Sequence, residues 1–584
     1  MNTNDDNYKL YNFALKFTPK DKEIIHFIGI GGIGFSGLAL ILHKLGYKVQ
    51  GSDLSENYNI TRLKKYNIKV FIGHDALHVQ NANLIIISNV IKEDNPELLE
   101  VNRLNLTTYT KGDILQFLIE KYKDINNTMS IAVTGAHGKT TTTCLLEEIF
   151  SGANKVNLFF AGGVVKKLNT NAYVNNLNQN TNQEKNINDE ESTYNKDKFS
   201  IIEADESDNT CFNIKPNILI ITNVDKEHLD FYKNFDILLQ KFKNIFQDSI
   251  NYQAYRNISD KNLDKLDKCI DKNLDKLDKC KQYRNLNSIY ENLIICLDDK
   301  YLRDIYNAFN SNKENINHII TYGIENINSD IIAKNIIYQD NCMTFKIQIQ
   351  TSFFNKIQNK FQKESFNLMQ NILNSYQDAQ FKMQIIGKHN VLNALSCIVA
   401  AILAKIPFLI TKQKLLSFEG AKRRFNLICN YNGIDIIDDY AHHPTEIKAT
   451  ILAAKQKYKN IAVVVEIHKY SRLYELYNEF IDALQEVPYA ILIPIHTAGE
   501  LNLYNIDHYN LKDSLNAVYL QKNNKYICKT IEIELINDAI NSINNTKENI
   551  INDIMNFNSK IDCILFMGAG TNITKLANSY NIYK

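Results

Sequence analysis

Short apolar runs recur along this chain. Several lead into a glycine turn or end in an acidic residue, and helical stretches alternate with them. "EIIHFI" (23–28) leads into "GIGGIG", "YKVQGSD" ends at Asp53, and further runs lie at 68–72 and in "NLIIIS" (83–88). "MSIAVT" (129–134) leads into "GAHGK", while "FSIIEAD" (199–205) and "NILIITNVD" (217–225) end on acids. "GIDIIDDY", "IAVVVEI", "YAILIPI" and "CILFMGAG" (563–570) repeat the theme towards the C-terminus. Strands alternating with helices in this way predict βαβ units and parallel sheets.

The chain has 584 residues, too many for one core, and about three or four domains is the physical expectation. The pattern starts afresh near residue 129 and again around "EGAKRRF" (419–425). The predicted fold class is therefore α/β with three domains: a Rossmann-like N-terminal domain over 22–124, a P-loop-type central ATPase domain over 125–411, and a Rossmann-like C-terminal domain over 412–584. Two stretches read as insertions, near 169–198 and 251–288. The first is dominated by Asn, Lys and Glu and predicts a disordered loop. The second holds a tandem repeat, "DKNLDKLDKCI" then "DKNLDKLDKCK" at 260–281, read as a duplication tolerated on the surface.

A net charge of +1 argues against a broad nucleic-acid surface. Ten scattered cysteines with no C-x-x-C read as buried, reduced thiols of a cytoplasmic protein. The polar N-terminus is unlike a signal peptide. The longest apolar run, "VLNALSCIVAAILA" (391–404), is too short to span a bilayer and predicts a buried helix, so no membrane partner is expected. The oligomeric expectation is a monomer or homodimer.

Two glycine-rich turns carry the first chemical signals. Gly29-x-Gly31-x-x-Gly34 follows a strand, where glycines let the backbone approach a diphosphate at a helix N-terminus. Asp53, ending the next strand, is placed to meet a ribose hydroxyl. Taken alone, this turn fits NAD, another nucleoside diphosphate, or a tight turn with no ligand. "GAHGKTTTT" (135–143) is a shortened phosphate loop in the required strand–loop–helix setting. Amides of residues 136–140 would cradle phosphates, Lys139 would neutralise their charge, and Thr140 would hold Mg²⁺.

Five further motifs sit at strand ends or helix starts. "EADESD" (203–208) suits a hard cation. His228 in "TNVDKEHLDFY" (222–232), taken alone, reads as structural. "GKHNVLNALS" (387–396) clusters His389, Asn390 and Asn393. "DDYAHHPTEI" (438–447) crowds acids, a tyrosine and two histidines, with Pro444 suited to a first helical turn. "EIHKYSR" (466–472) offers His468 and Arg472 to a carboxylate.

The order of these motifs resembles the Mur ligases, ATP-dependent amide-bond ligases of peptidoglycan precursor synthesis. Within the family, "IGIGGIGFSGLA", "EADESD" and "DDYAHHPTE" look most like the branch that joins L-alanine to UDP-N-acetylmuramate. The branch that recycles murein tripeptide shares part of the pattern. The resemblance implies that Gly29, Gly31, Gly32, Gly34, Asp53 and Ser88 bind the UDP-sugar, which displaces the NAD reading. It implies ATP at Gly135, Ala136, His137, Gly138, Lys139, Thr140 and Thr141. Asn390 and Asn393 would lie near adenine, and Arg424 with Asp438 or Asp439 would reach ATP from the third domain. Thr140, Glu203 and His228 would hold Mg²⁺. Tyr440, His468 and Arg472 would bind the amino acid, and His442 or His468 would take the proton from its ammonium group. The implied reaction passes through an acyl phosphate. The family commonly shows Gln-Pro-His-Arg-Tyr-x-Arg where this chain has residues 466–472, so Glu466 and Lys469 are departures. A decayed ATP-binding scaffold is the reading those departures would suit.

Overall fold

The computed structural model describes residues 23–175, 197–259, 290–311, 316–358, 363–522, 526–531, 539–555 and 560–581. The 260–281 repeat lies outside them. The chain divides into two compact units. One takes the residues up to 334 with 346–381 and 392–418; the other takes 335–345, 382–391 and 419–584.

The first unit holds two parallel sheets. One has five strands in the order Lys69–Ile72, Lys48–Asp53, Ile24–Ile28, Leu84–Ile87, Thr108–Tyr109. The order turns back beside Ile24–Ile28, and the glycine turn leaves that strand's C-terminal end, where doubly wound sheets bind ligands. In the other sheet, strands run in the order Ile319–Gly323, Asn292–Cys296, Ile218–Ile221, Met129–Thr134, Phe199–Glu203, Val156–Val165, Thr170–Val174. All these neighbours are parallel except the last pair, an antiparallel hairpin. The central strands are buried end to end, which fits their largely apolar sequence.

Thr170–Val174 corrects the expected loop at 169–198: its first residues form an edge strand instead. The reason is packing. The helix Ile33–Lys44 buries every residue from Phe35 to Leu42, so it needs cover on more than one side. The hairpin supplies part of that cover. A Cβ on Gly37 would lie 2.7 Å from Asn171 Nδ2 and 3.1 Å from Ala172 Cβ, so only glycine permits this approach. Asn171 also donates to the Ile33 carbonyl at 2.9 Å. Similarly, the helix Phe235–Ser259 runs into the stretch expected as an insertion from 251.

The second unit holds six strands in the order Asn426–Tyr431, Ile434–Asp439, Cys563–Met567, Ile461–His468, Tyr489–His496, Ile527–Thr530. The first pair is an antiparallel hairpin and the rest are parallel. Apolar clusters cover both faces: Ile447, Ile451, Phe480 and Leu511 belong to one, Ile550, Ile554, Ile573 and Leu576 to the other. The hairpin turns at Asn432 (φ 51°) and Gly433 (φ 84°), the left-handed pair that matches strand twist.

The run at 391–404 lies in the helix Lys388–Leu403, with Val391, Leu395 and Ile398 fully buried, as expected. Among the described residues no helix is long and apolar enough to cross a membrane. The described cysteines are free thiols, and Cys342 and Cys429 are half-buried rather than buried.

Candidate active site

The first four residues of "GAHGKTTTT" form a tight loop between the strand Met129–Thr134 and the helix Lys139–Gly152, which the last five begin. Gly135 (φ +120°) and Gly138 (φ +84°) take left-handed backbone. A Cβ on Gly135 would meet Thr222 Oγ1 at 2.4 Å, and one on Gly138 would meet Asn393 Oδ1 at 2.6 Å. Asn393 is thus seated on the loop, whereas Asn390 donates to the Ile386 carbonyl at 2.7 Å within the second unit. The loop's first amides differ from expectation. Ala136 N donates to the Asn223 carbonyl at 3.1 Å and His137 N to Asn223 Oδ1 at 2.8 Å, so the neighbouring strand end holds them. His137 Nε2 lies 2.9 Å from Asp225 Oδ2. Thr141 is buried in the helix's first turn.

Lys139 folds back over the loop. Nζ donates to the Gly135 carbonyl at 2.7 Å and to both Glu206 oxygens at 3.1 and 2.9 Å. Burial works against its charge, but Glu206, Asp205 and Glu227 outweigh that and hold its pKa well above the ordinary range. Thr140 Oγ1 donates to Glu203 Oε1 at 2.9 Å, and Gly162 N donates to Glu203 Oε2 at 2.6 Å. Burial pushes the Glu203 carboxyl up against the pull of the Gly162 amide, Lys139 and Thr140.

His228 stands in left-handed backbone (φ 57°), its Nε2 3.4 Å from Glu206 Oε1 and 3.6 Å from Glu227 Oε2. Burial opposes its protonation, and the facing acids reverse the balance, raising its pKa. Asp205, Glu206 and His228 offer donor atoms all within 4.8 Å of one another. Two carboxylates and an imidazole suit a divalent cation. Glu203 instead pairs with Thr140.

At the other turn, Gly29 (φ +90°) and Ile30 donate to the Ser52 carbonyl at 2.9 and 3.0 Å. Gly31 N donates to Asp53 Oδ2 at 2.8 Å, so this carboxylate braces the turn itself. A Cβ on Gly31 would lie 2.7 Å from Asn57 Nδ2, and one on Gly29 would press Ser88 Cβ at 3.2 Å. Gly32 caps the helix Ile33–Lys44. Gly34 is roomier: its nearest neighbours would be 3.7 Å away, and Gly37 makes the close contact instead.

In the second unit, Tyr440 lies under two guanidinium groups, Arg423 at 4.7 Å and Arg424 at 5.3 Å from the ring centre. Arg423 also binds the Gly568 and Gly570 carbonyls at 2.6 and 3.0 Å, while Arg424 reaches Glu446 at 3.4 Å. The two aspartates diverge. Asp439 accepts the amides of Phe425 and Ala441 at 2.6 and 2.8 Å and so builds the turn. Asp438 accepts from Thr574 at 3.2 Å, and burial pushes it up to about 6 despite Arg423.

Three histidine rings run in series here. His442 meets His468 edge-on at 5.5 Å, and His468 stacks on His496 at 5.2 Å. His442 Nδ1 lies 3.0 Å from the Tyr440 carbonyl and 3.3 Å from Glu446 Oε2. Both partners accept, so that nitrogen carries a proton. Arg472 Nη1 lies 3.5 Å from His468 Nδ1. Burial, with His442, Arg472, His496 and Lys469 adding to it, pushes His468 down to about 2. A ring so reluctant to protonate is a neutral hydrogen-bonding group, not a base.

Family profiles match along the chain: "Mur ligase family, catalytic domain" over 24–123, "Mur ligase middle domain" over 133–286 and 277–401, and "Mur ligase, glutamate ligase domain" over 423–570. The chain belongs to the Mur ligase family. Curated relatives named UDP-N-acetylmuramate–L-alanine ligase include those of Rickettsia bellii and Rickettsia canadensis. The first is 32% identical over 568 residues, with 97% of each chain covered. The second is 33% identical over 569 residues, again with 97% of each covered. Among solved structures, UDP-N-acetylmuramate-alanine ligase from Thermotoga maritima matches with a TM-score of 0.62 at 21% identity, over 96% of this chain and 99% of that one. A murein peptide ligase from Psychrobacter arcticus matches with a TM-score of 0.55 at 20% identity, over 95% and 99%. These structures share the three-domain α/β fold.

Several residues of this Mur ligase site escape a sequence reading. Glu206 pairs with both Lys139 and His228, yet in the sequence it is one acid among four in "EADESD". Gly162 and Gly163 let the strand Val156–Val165 pass against Glu203 and Thr140, where added Cβ atoms would lie 2.6 and 2.7 Å from side-chain atoms. The glycine pair was the visible signal. His496 ends a strand beside His468, and its place at a strand end was the signal there.

Proposed function

We propose that this Mur ligase joins L-alanine to the lactyl carboxylate of UDP-N-acetylmuramate at the expense of ATP, in peptidoglycan precursor synthesis. One observation carries the reading: Glu206 joins Lys139 to His228, and Glu203 takes the Thr140 hydroxyl, two bonded sets side by side at the phosphate loop, in a chain that matches relatives of that name over 97% of its length. When bound, ATP supplies the phosphoryl group that activates the carboxylate, and Mg²⁺ screens the anions that must meet. The residues present fit both. Left-handed glycines give a backbone cradle, Lys139 adds a fixed cation, and Asp205, Glu206 and His228 form a hard donor set beside Thr140 and Glu203.

The two glycine turns take separate work. Gly135–Thr141 receives the nucleotide that is consumed. Gly29–Gly34, with Asp53 and Ser88, holds the UDP handle, which stays intact. Asp53 is already bonded to Gly31, so its contribution is to shape the turn. Lys139, held by Glu206, sets positive charge at the loop mouth before any phosphate arrives, and this preorganisation lowers the cost of bringing anions together.

Tyr440, His468 and Arg472 bind the amino acid, Arg472 meeting its carboxylate. His442 takes a proton from the ammonium group: its Nδ1–H is held by the Tyr440 carbonyl and Glu446, which makes Nε2 the accepting nitrogen of the neutral ring. The test is phosphate release with ATP, UDP-N-acetylmuramate and each amino acid in turn, set against murein tripeptide. L-alanine should turn over fastest. Faster turnover with tripeptide would move the chain to the recycling reaction, and no release with any acceptor would leave an ATP-binding scaffold.

A further inference from the structure

Glu97 lies beneath the first glycine turn and has no part in the chemistry above. It sits in the first turn of the helix Pro96–Arg103, capped by Asn95. Its side chain is 0% exposed. Oε2 accepts from Ser52 Oγ at 2.6 Å and lies 3.2 Å from His26 Nε2. Oε1 lies 2.7 Å from His78 Nδ1, 3.5 Å from His74 Nδ1 and 3.4 Å from the Asp75 amide. Burial opposes its charge, but His26, Ser52 and His78 outweigh that and hold the carboxyl down at about 2. An ionised group so completely buried is costly to keep unless every lone pair is met. Here one carboxylate ties together two strands, the turn after a third and a one-turn helix.

The connection to the ligand turn runs through Ser52. Its carbonyl takes the amides of Gly29 and Ile30, at 2.9 and 3.0 Å, and its hydroxyl binds Glu97 while touching His74 Nδ1 at 3.1 Å. The next residue, Asp53, takes the Gly31 amide. His26 lies on the strand that enters the turn and is held from its far side by Gln50 at 3.2 Å. The turn's shape is therefore set by Ser52 and Asp53, and Ser52 is anchored by Glu97.

We infer that Glu97 is a positioning residue: acting through Ser52, it fixes the glycine turn in the shape that receives the diphosphate of the sugar nucleotide. The inference rests on the assignment of this turn to the UDP handle. The test uses the full chain with UDP as the probe, by titration calorimetry, together with KM for UDP-N-acetylmuramate and for ATP. Glu97→Gln keeps the shape and removes the charge; Ser52→Ala removes the link and keeps the carbonyl that holds the turn, and it carries the test should the first variant not fold. Each should weaken UDP binding and raise KM for the sugar nucleotide by about tenfold, the loss of one charge-assisted hydrogen bond. KM for ATP should stay within about twofold of wild type, a split that general loosening would not produce. UDP binding unchanged in both variants would overturn the inference. So would a parallel loss of UDP and ATP affinity, which marks a fold-stabilising role alone. A wild-type chain that does not bind UDP would instead remove the assignment on which the inference rests.

Discussion

Glu466 lies within a run of buried residues in the strand Ile461–His468 and is itself 2% exposed. Among the described residues its Oε2 has no hydrogen-bond partner. Gly568 and Gly570 close over it so tightly that Cβ atoms there would lie 2.8 and 2.2 Å from its side chain. Burial pushes its carboxyl from 4.5 up to about 7, and the Gly570 amide and Arg423 offset this only in part. The folded chain therefore holds this proton more tightly than the unfolded chain does. Below the unfolded pKa both states are protonated and nothing is lost. As pH rises through the folded value near 7, the native state is left with a buried, under-solvated charge. A tenfold difference in proton affinity is worth about 1.4 kcal/mol, so the full loss approaches about 3 kcal/mol. Glu466→Gln removes the titration and keeps the shape. Its stability relative to wild type should rise by about 3 kcal/mol between about pH 4.5 and pH 8, read from urea midpoints across that range. A constant offset between the two proteins at all pH values would refute the reasoning, whatever the sign of that offset.

Three further outcomes are expected. Lys139→Ala should abolish phosphate release while UDP binding stays within a few-fold; equal loss of both would sink the division of labour between the two turns. Gly138→Ala forces a Cβ to 2.6 Å from Asn393 at φ +84°, strain of roughly 1–3 kcal/mol, so ATP affinity should fall by about tenfold or more; unchanged ATP affinity by titration calorimetry would contradict the loop geometry. His468→Gln should lower kcat/KM for alanine without moving either limb of its pH profile, because His468 stays neutral; a missing limb would restore it as a base.

Much of this architecture is legible in one sequence because buried parallel strands are written as unbroken apolar runs. "MSIAVT" is a strand over those same six residues, and the glycine loop follows it directly, with Gly135 and Gly138 in left-handed backbone. Strands with polar residues are harder to read. Thr170–Val174 lies in Asn-rich sequence because its asparagine faces a helix rather than water. Asn426–Tyr431 is half-exposed, so no apolar run marks it. At the site, residue types were legible but partnerships were not. Nothing along the chain separates Glu206 from Glu203, yet one meets Lys139 and the other Thr140. Likewise Asp438 and Asp439 are neighbours in sequence, and strand alternation sends them to opposite faces, one towards Arg423 and one into a turn.

The hairpin of Val156–Val165 and Thr170–Val174 touches both nucleotide turns. On one side Asn171 and Gly37 lock it to the helix that opens at Gly32. On the other, Gly162 and Gly163 seat it on Glu203 and Thr140. It stands as a spacer between the two, built of regular strand rather than loop. The span between the helix that opens at Gly32 and Thr140 is therefore carried by paired strands.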